Sequence, residues 1–173
     1  KILPIDMNKI LADTKLGTAD TNTFLFHDST LVKDMKGLAI VEIKTSDALK
    51  ADSVTDDTTK PTVSAVALDM DKLTLTITFS ETVKISTFAM TTLKIESQAN
   101  GGAVVEIKAG TMSVKDDPVV TLALDPLDAD KIKKDITLGT KKEDSFLRVQ
   151  AGTVKDMKDN VLDAPSTAVT VGT

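Results

Sequence analysis

The chain has 173 residues, 41% apolar and 27% charged, with 21 basic against 26 acidic side chains, a net charge of -5 and no cysteine. That is enough for one or two soluble domains with a real core, and it excludes disulfide staples, thiolate catalysis and cysteine zinc sites. One arginine, no basic cluster and no apolar run of ~18 residues argue against nucleic acid as a partner and against membrane insertion.

In chain order, the first informative residue is His27, the one histidine. It rules out any site needing two imidazoles and reads as a strand-face side chain. Asp56-Asp57-Thr58-Thr59-Lys60-Pro61 reads as a junction, because charged and hydroxyl residues ending in proline disfavour continued pairing. Short runs rich in Thr, Val, Ile and Leu follow at 62–68, 72–79, 91–96, 104–108, 119–124, 146–149 and 167–171. The clearest places Leu73, Leu75, Ile77 and Phe79 on one face and Lys72, Thr74, Thr76 and Thr78 on the other, the pattern of a half-buried strand. Asn100-Gly101-Gly102 offers the positive φ angles of a tight hairpin. Asp128 to Lys134 carries acids first and bases last, which suits a short polar helix bridging two sheets outside the core. Seven short strands with turn signals between them predict an all-β chain.

The chain also repeats itself. Pro4-Ile5-Asp6-Met7-Asn8-Lys9-Ile10 matches Pro126-Leu127-Asp128-Ala129-Asp130-Lys131-Ile132, Leu16-Gly17-Thr18 matches Leu138-Gly139-Thr140, and Phe24-Leu25 matches Phe146-Leu147. Val32-Lys33-Asp34-Met35-Lys36 recurs unchanged as Val154-Lys155-Asp156-Met157-Lys158. All share one offset of about 122 residues, with about 15 identities in roughly 33 positions, far above chance. The second copy has strands ahead of it from about Pro61, whereas the first starts with material matching only the back half. The expected organisation is therefore the C-terminal part of one unit, residues 1–59, and a complete unit, residues 60–173.

The strand followed by Phe79-Ser80-Glu81-Thr82-Val83, and the late phrase Val154-Lys155-Asp156-Met157-Lys158-Asp159-Asn160, resemble the tandem immunoglobulin-like repeats of large bacterial or algal surface proteins of the adhesin type. In that family the late phrase ends in a glycine-asparagine turn, where this chain has Asp159-Asn160 in one copy and Gly37-Leu38 in the other. The resemblance implies an immunoglobulin-like β-sandwich repeat with short helical turns between strands. It further implies a non-enzymatic structural segment of an extracellular or cell-surface protein, acting in adhesion, cell covering or filament assembly. The expected partners are proteins, either neighbouring repeats or subunits, with a glycan also open.

Two residue-level expectations follow. The first 59 residues supply only two or three strands, so an apolar face and unpaired edges should lie exposed until strands from a neighbouring segment or subunit complete the fold. The aspartates at strand ends form a second group: Asp69 with Asp71, Asp116 with Asp117, Asp56 with Asp57, and Asp125 with Asp128 and Asp130. They are either turn formers or oxygen ligands for calcium, and Asp125, Asp128 and Asp130 are the best placed as metal ligands, which would make the chain a calcium-dependent module binding a glycan or a protein. Glu81, Glu96, Glu106 and Glu143 read as surface residues, and no carboxylate pair stands out as a hydrolase centre. Without tryptophan or tyrosine there is no aromatic platform for sugar stacking.

Overall fold

A computed structural model describes residues 2–172, and the chain divides into two compact units, Lys1–Asp57 and Thr58–Thr173. The fold is all-β: three antiparallel sheets and two α-helices. Among the described residues no helix is long and apolar enough to cross a membrane.

The first unit contains helix α1 (Pro4–Ala12), a 3₁₀ turn at Asp20–Asn22, and strands β1 (Phe24–Leu25) and β2 (Leu49–Lys50). β1 and β2 pair antiparallel, Leu25 opposite Leu49, and single bridges join His27 to Ile43 and Lys33 to Ala39. An ion pair between Asp20 and Lys50, 2.7 Å, ties the turn to the second strand. None of the described residues of this unit is fully buried.

The second unit carries β3 (Val63–Asp69), β4 (Thr74–Lys84), β5 (Leu93–Glu96), β6 (Val104–Glu106), β7 (Gly110–Met112), β8 (Asp117–Leu124), α2 (Pro126–Lys134), β9 (Phe146–Val149), β10 (Lys155–Asp156) and β11 (Val169–Thr170). One sheet runs β10-β4-β8-β7, with β3 also on β4; the other runs β11-β9-β5-β6. The long strand β4 gives its first half to β3 (Val66 opposite Ile77) and its end to β10 (Asp156 opposite Val83). Period-two alternation drives the packing. Leu75, Ile77 and Phe79 of β4 and Val120, Leu122 and Leu124 of β8 join Leu93, Ile95, Val105, Leu147 and Val149 of the other sheet in one hydrophobic cluster.

Several expectations are corrected by this packing. Leu73 is not in the strand but in the preceding turn, at φ 54°. The alternation continues through exposed Ser80 and buried Glu81 and lapses at Thr82, so that Glu81, Thr82 and Val83 are all buried where the register against β8 shifts. Glu81, and Glu96 at the end of β5, are interior rather than surface residues, whereas Glu106 and Glu143 are exposed. The Asn100-Gly101-Gly102 stretch is part of a longer loop closed by the Ser97 N–H donating to the Ala103 carbonyl, not a two-residue turn. α2 is not confined to the surface: Ala129 and Ile132, three residues apart on one helical face, belong to the core. β7 and β10, only three and two residues long, carry no alternation that announces them.

The two echoing stretches have the same backbone. α1 and α2 are each nine residues long, open on proline and lie 122 positions apart, as do the 3₁₀ turns at Asp20–Asn22 and Lys142–Asp144. Gly17 and Gly139 sit at φ 69° and 70°. The bridge Lys33 to Ala39 has its counterpart in Lys155 to Val161, and β1–β2 has its counterpart in β9–β11 after a two-residue insertion in the first unit.

Candidate functional site

The side chains with functional potential are those that the first unit leaves uncovered. The same local chemistry builds the site in both units. In the first, the Asn22 side-chain oxygen accepts the backbone N–H groups of Thr18 and Ala19 (3.2 and 2.9 Å), and the Thr23 hydroxyl donates to the Ala19 carbonyl. In the second, Asp144 accepts from the N–H groups of Thr140 and Lys141 (2.9 Å each), and the Ser145 hydroxyl donates to the Lys141 carbonyl. Asp34 accepts from the N–H groups of Lys36 and Leu38, and Asp156 from those of Lys158 and Asn160, all at 2.8–2.9 Å. These Asx-type bonds fix the turns without help from a core.

What differs is burial. Leu147, Val154 and Leu138 are 0%, 0% and 1% exposed, whereas their counterparts Leu25, Val32 and Leu16 are 60%, 52% and 42% exposed. The edge of β9 that faces β5, with Leu147 opposite Ile95, has no partner strand in the counterpart β1, whose only strand neighbour among the described residues is β2. The stretch corresponding to β10 likewise has no equivalent of β4 beside it. Ile2, Leu3 and Ile5 add further exposed apolar surface at the start of α1, and Phe24 and Phe26 line a shallow cavity of about 510 Å³ with Leu16 and Ala48. Apolar side chains left exposed where their counterparts are buried mark a surface available for interaction.

His27 is half-buried within its bridge to Ile43, and its Nδ1 stands 3.0 Å from the Asp28 carbonyl oxygen.

The strand-end aspartates serve the backbone. Asp69 accepts from the N–H groups of Asp71 and Lys72 and pairs with the Lys72 ammonium at 2.9 Å. Asp116 accepts the Ile85 N–H and Asp117 the Val119 N–H, each at 2.8 Å. Asp125 caps α2, accepting the Leu127 N–H, and Asp130 is exposed on the helix. Asp128 is buried and fully engaged: one oxygen takes the Lys131 ammonium at 2.7 Å, the other the N–H groups of Lys108 and Ala109 at 2.7 and 3.1 Å. Burial alone raises the Asp128 pKa, but the Lys131 and backbone hydrogen bonds outweigh it and hold the carboxyl below its ordinary value. The carboxylates of Asp125, Asp128 and Asp130 do not converge within 4.8 Å. The buried carboxylates of Glu81 and Asp156 do approach that closely, with Asp156 also held by the Asn160 amide at 2.8 Å.

The remaining buried charge in the second unit is Glu96, which accepts two bonds from Arg148 at 2.6 and 2.8 Å; Arg148 also donates to the Ala99 carbonyl at 3.0 Å. The hydrogen bonds to Glu96 raise the guanidinium pKa. This forked pair locks β9 against β5 and the loop that follows it. Sequence reading missed it, because a lone arginine and a glutamate 52 residues apart give no local signal.

Comparison with known family models, curated proteins and solved structures gives no match.

Proposed function

We propose that the chain is a non-enzymatic structural repeat segment of a large extracellular or surface protein, serving adhesion, cell covering or filament assembly, that its second unit is an immunoglobulin-like β-sandwich and that its first unit is the C-terminal part of another. The observation that carries the reading is the duplication itself: one sequence pattern folded twice into the same helix, turns and strand pairs, 122 residues apart. Two antiparallel sheets sharing one core in the second unit support the sandwich assignment. Modules that each bury their own core extend reach and bear load when joined end to end, with no need of an active site. The carboxylates are used accordingly, since those of Asp69, Asp116, Asp117, Asp125 and Asp128 are spent on turns, a helix cap and ion pairs.

Single-molecule stretching tests this reading. The second unit should unfold as one cooperative, force-resistant event, and electron microscopy of the longer polypeptide should show arrays or filaments. Gradual yielding at low force, or hydrolase turnover by purified material, would refute the scaffold role.

A further inference from the structure

We infer that the uncovered face of the first unit is the seat for a front-half segment of the same repeat type, built like residues 61–122 and entering in line with Ile2. This rests on the scaffold reading above and names the partner that completes it.

The second unit is the template. There the counterparts of Leu25, Val32 and Leu16 are buried in one cluster with residues of β4, β5 and β8, all of which precede α2. The first unit displays the same receiving parts without their cover: the free edge of β1, where β5 lies on β9, and the Lys33-Asp34 stretch, where β4 lies on β10. Ile2 stands where Leu124, the last residue of β8, stands in the second unit, so a β8-like strand running into Ile2 meets α1 in the phase in which β8 meets α2.

The charge pattern specifies the occupant further. In the second unit the seat offers Arg148 and the occupant answers with buried Glu96. At the Arg148 position the first unit has Phe26, and at the Val149 position His27. A glutamate brought to that place would be buried without its cation, so the matching segment carries an uncharged, apolar residue there. The same mismatch excludes a second copy of this chain as the proper occupant: its residues 63–124 bring Glu96, and lending them would strip its own Leu147 and Val154 bare.

The test joins an added copy of residues 58–122, with Glu96→Leu in that copy, directly ahead of Lys1 of the whole chain. Hydrogen exchange is then followed on peptides from residues 20–50, with those from 140–172 as the internal reference. Exchange in residues 20–50 should slow by on the order of 100-fold relative to the unextended chain. The extension retaining Glu96 should protect less, and one carrying Leu75→Asp and Ile77→Asp in the added copy should not protect at all. Three results overturn the inference: no slowing with the Glu96→Leu extension; equal slowing with the aspartate-bearing extension; or concentration-dependent protection of the unextended chain, which would make a second copy the occupant. An unprotected first unit beside a protected second unit counts only against the occupant. Loss of protection in the second unit itself counts against the scaffold reading.

Discussion

Leu25 and Leu147 occupy equivalent places in two copies of one motif, and truncating each should give very different results. Leu147 is 0% exposed and packed in the core of the second unit. Leu147→Ala removes three carbons at ~0.8 kcal/mol each, and the cavity left in a core that relaxes only in part brings the cost to about 3–4 kcal/mol. Leu25, 60% exposed, retains some two-fifths of that burial and lines no closed core. Leu25→Ala should cost ~1 kcal/mol at most. Urea unfolding followed by far-UV circular dichroism reads both, since the chain has no tryptophan or tyrosine to report by fluorescence. Hydrogen exchange on peptides from each unit assigns the loss. Equal destabilisation by the two substitutions would show that the face of the first unit is already covered in the isolated chain, and the reasoning from exposure would fail.

Arg148→Ala leaves Glu96 buried without its cation and should cost ~3–5 kcal/mol in urea unfolding of the second unit, whereas Arg148→Met combined with Glu96→Leu should recover most of that loss. Gly139→Ala puts a Cβ at φ 70° and within 2.8 Å of the Ile132 side chain, and should destabilise by ~2 kcal/mol; Gly17→Ala, with its nearest neighbour at 3.4 Å, should cost less, a difference that thermal melts of the two variants resolve. The lowered pKa of Asp128 adds stability that is complete above the ordinary carboxyl value of 3.8 and is lost as the pH falls through the depressed folded value. Urea midpoints measured from pH 6 down to pH 2 should therefore fall less steeply for Asp128→Asn than for the parent chain, though from a lower starting stability.

The parts of the fold legible in the sequence are those held by local periodicity. The burial of Leu75, Ile77 and Phe79 follows from alternation alone, and the 146–149 strand appears at the bounds its β-rich run marks. What escapes is whatever depends on a distant partner. Glu96 reads as surface until Arg148, 52 residues on, is set against it. Glu81 continues the inward phase of Phe79 but reads as surface by its charge, and Thr82 looks outward until the register shift turns the end of β4 inward. β10 consists of two residues whose strand character comes wholly from β4 beside them. α1 has little helical pattern of its own and becomes legible only through its likeness to the stretch that forms α2. The uncovered face was legible because it follows from phase, in that a back half without its front half must expose what the front half would hide.

The two copies separate what the motif folds for itself from what it borrows. The turn about Gly17, the Asn22 and Asp34 caps and the bridge from Lys33 to Ala39 are present although none of the described residues of the first unit is fully buried. Local hydrogen bonding and left-handed glycines accompany this backbone path in both units, whereas deep apolar burial accompanies it only in the second. Asn22 for Asp144 and Thr23 for Ser145 keep the turn chemistry, and Leu16, Leu25 and Val32 recur unchanged as Leu138, Leu147 and Val154, whereas Phe26 for Arg148 and His27 for Val149 change character. A motif whose path is local and whose cover is selected by a few facing side chains can be repeated along a chain with each back half matched to its own front half. On the proposed matching, exchange between repeats is discouraged, because a front half carrying Glu96 is penalised on any seat that lacks arginine.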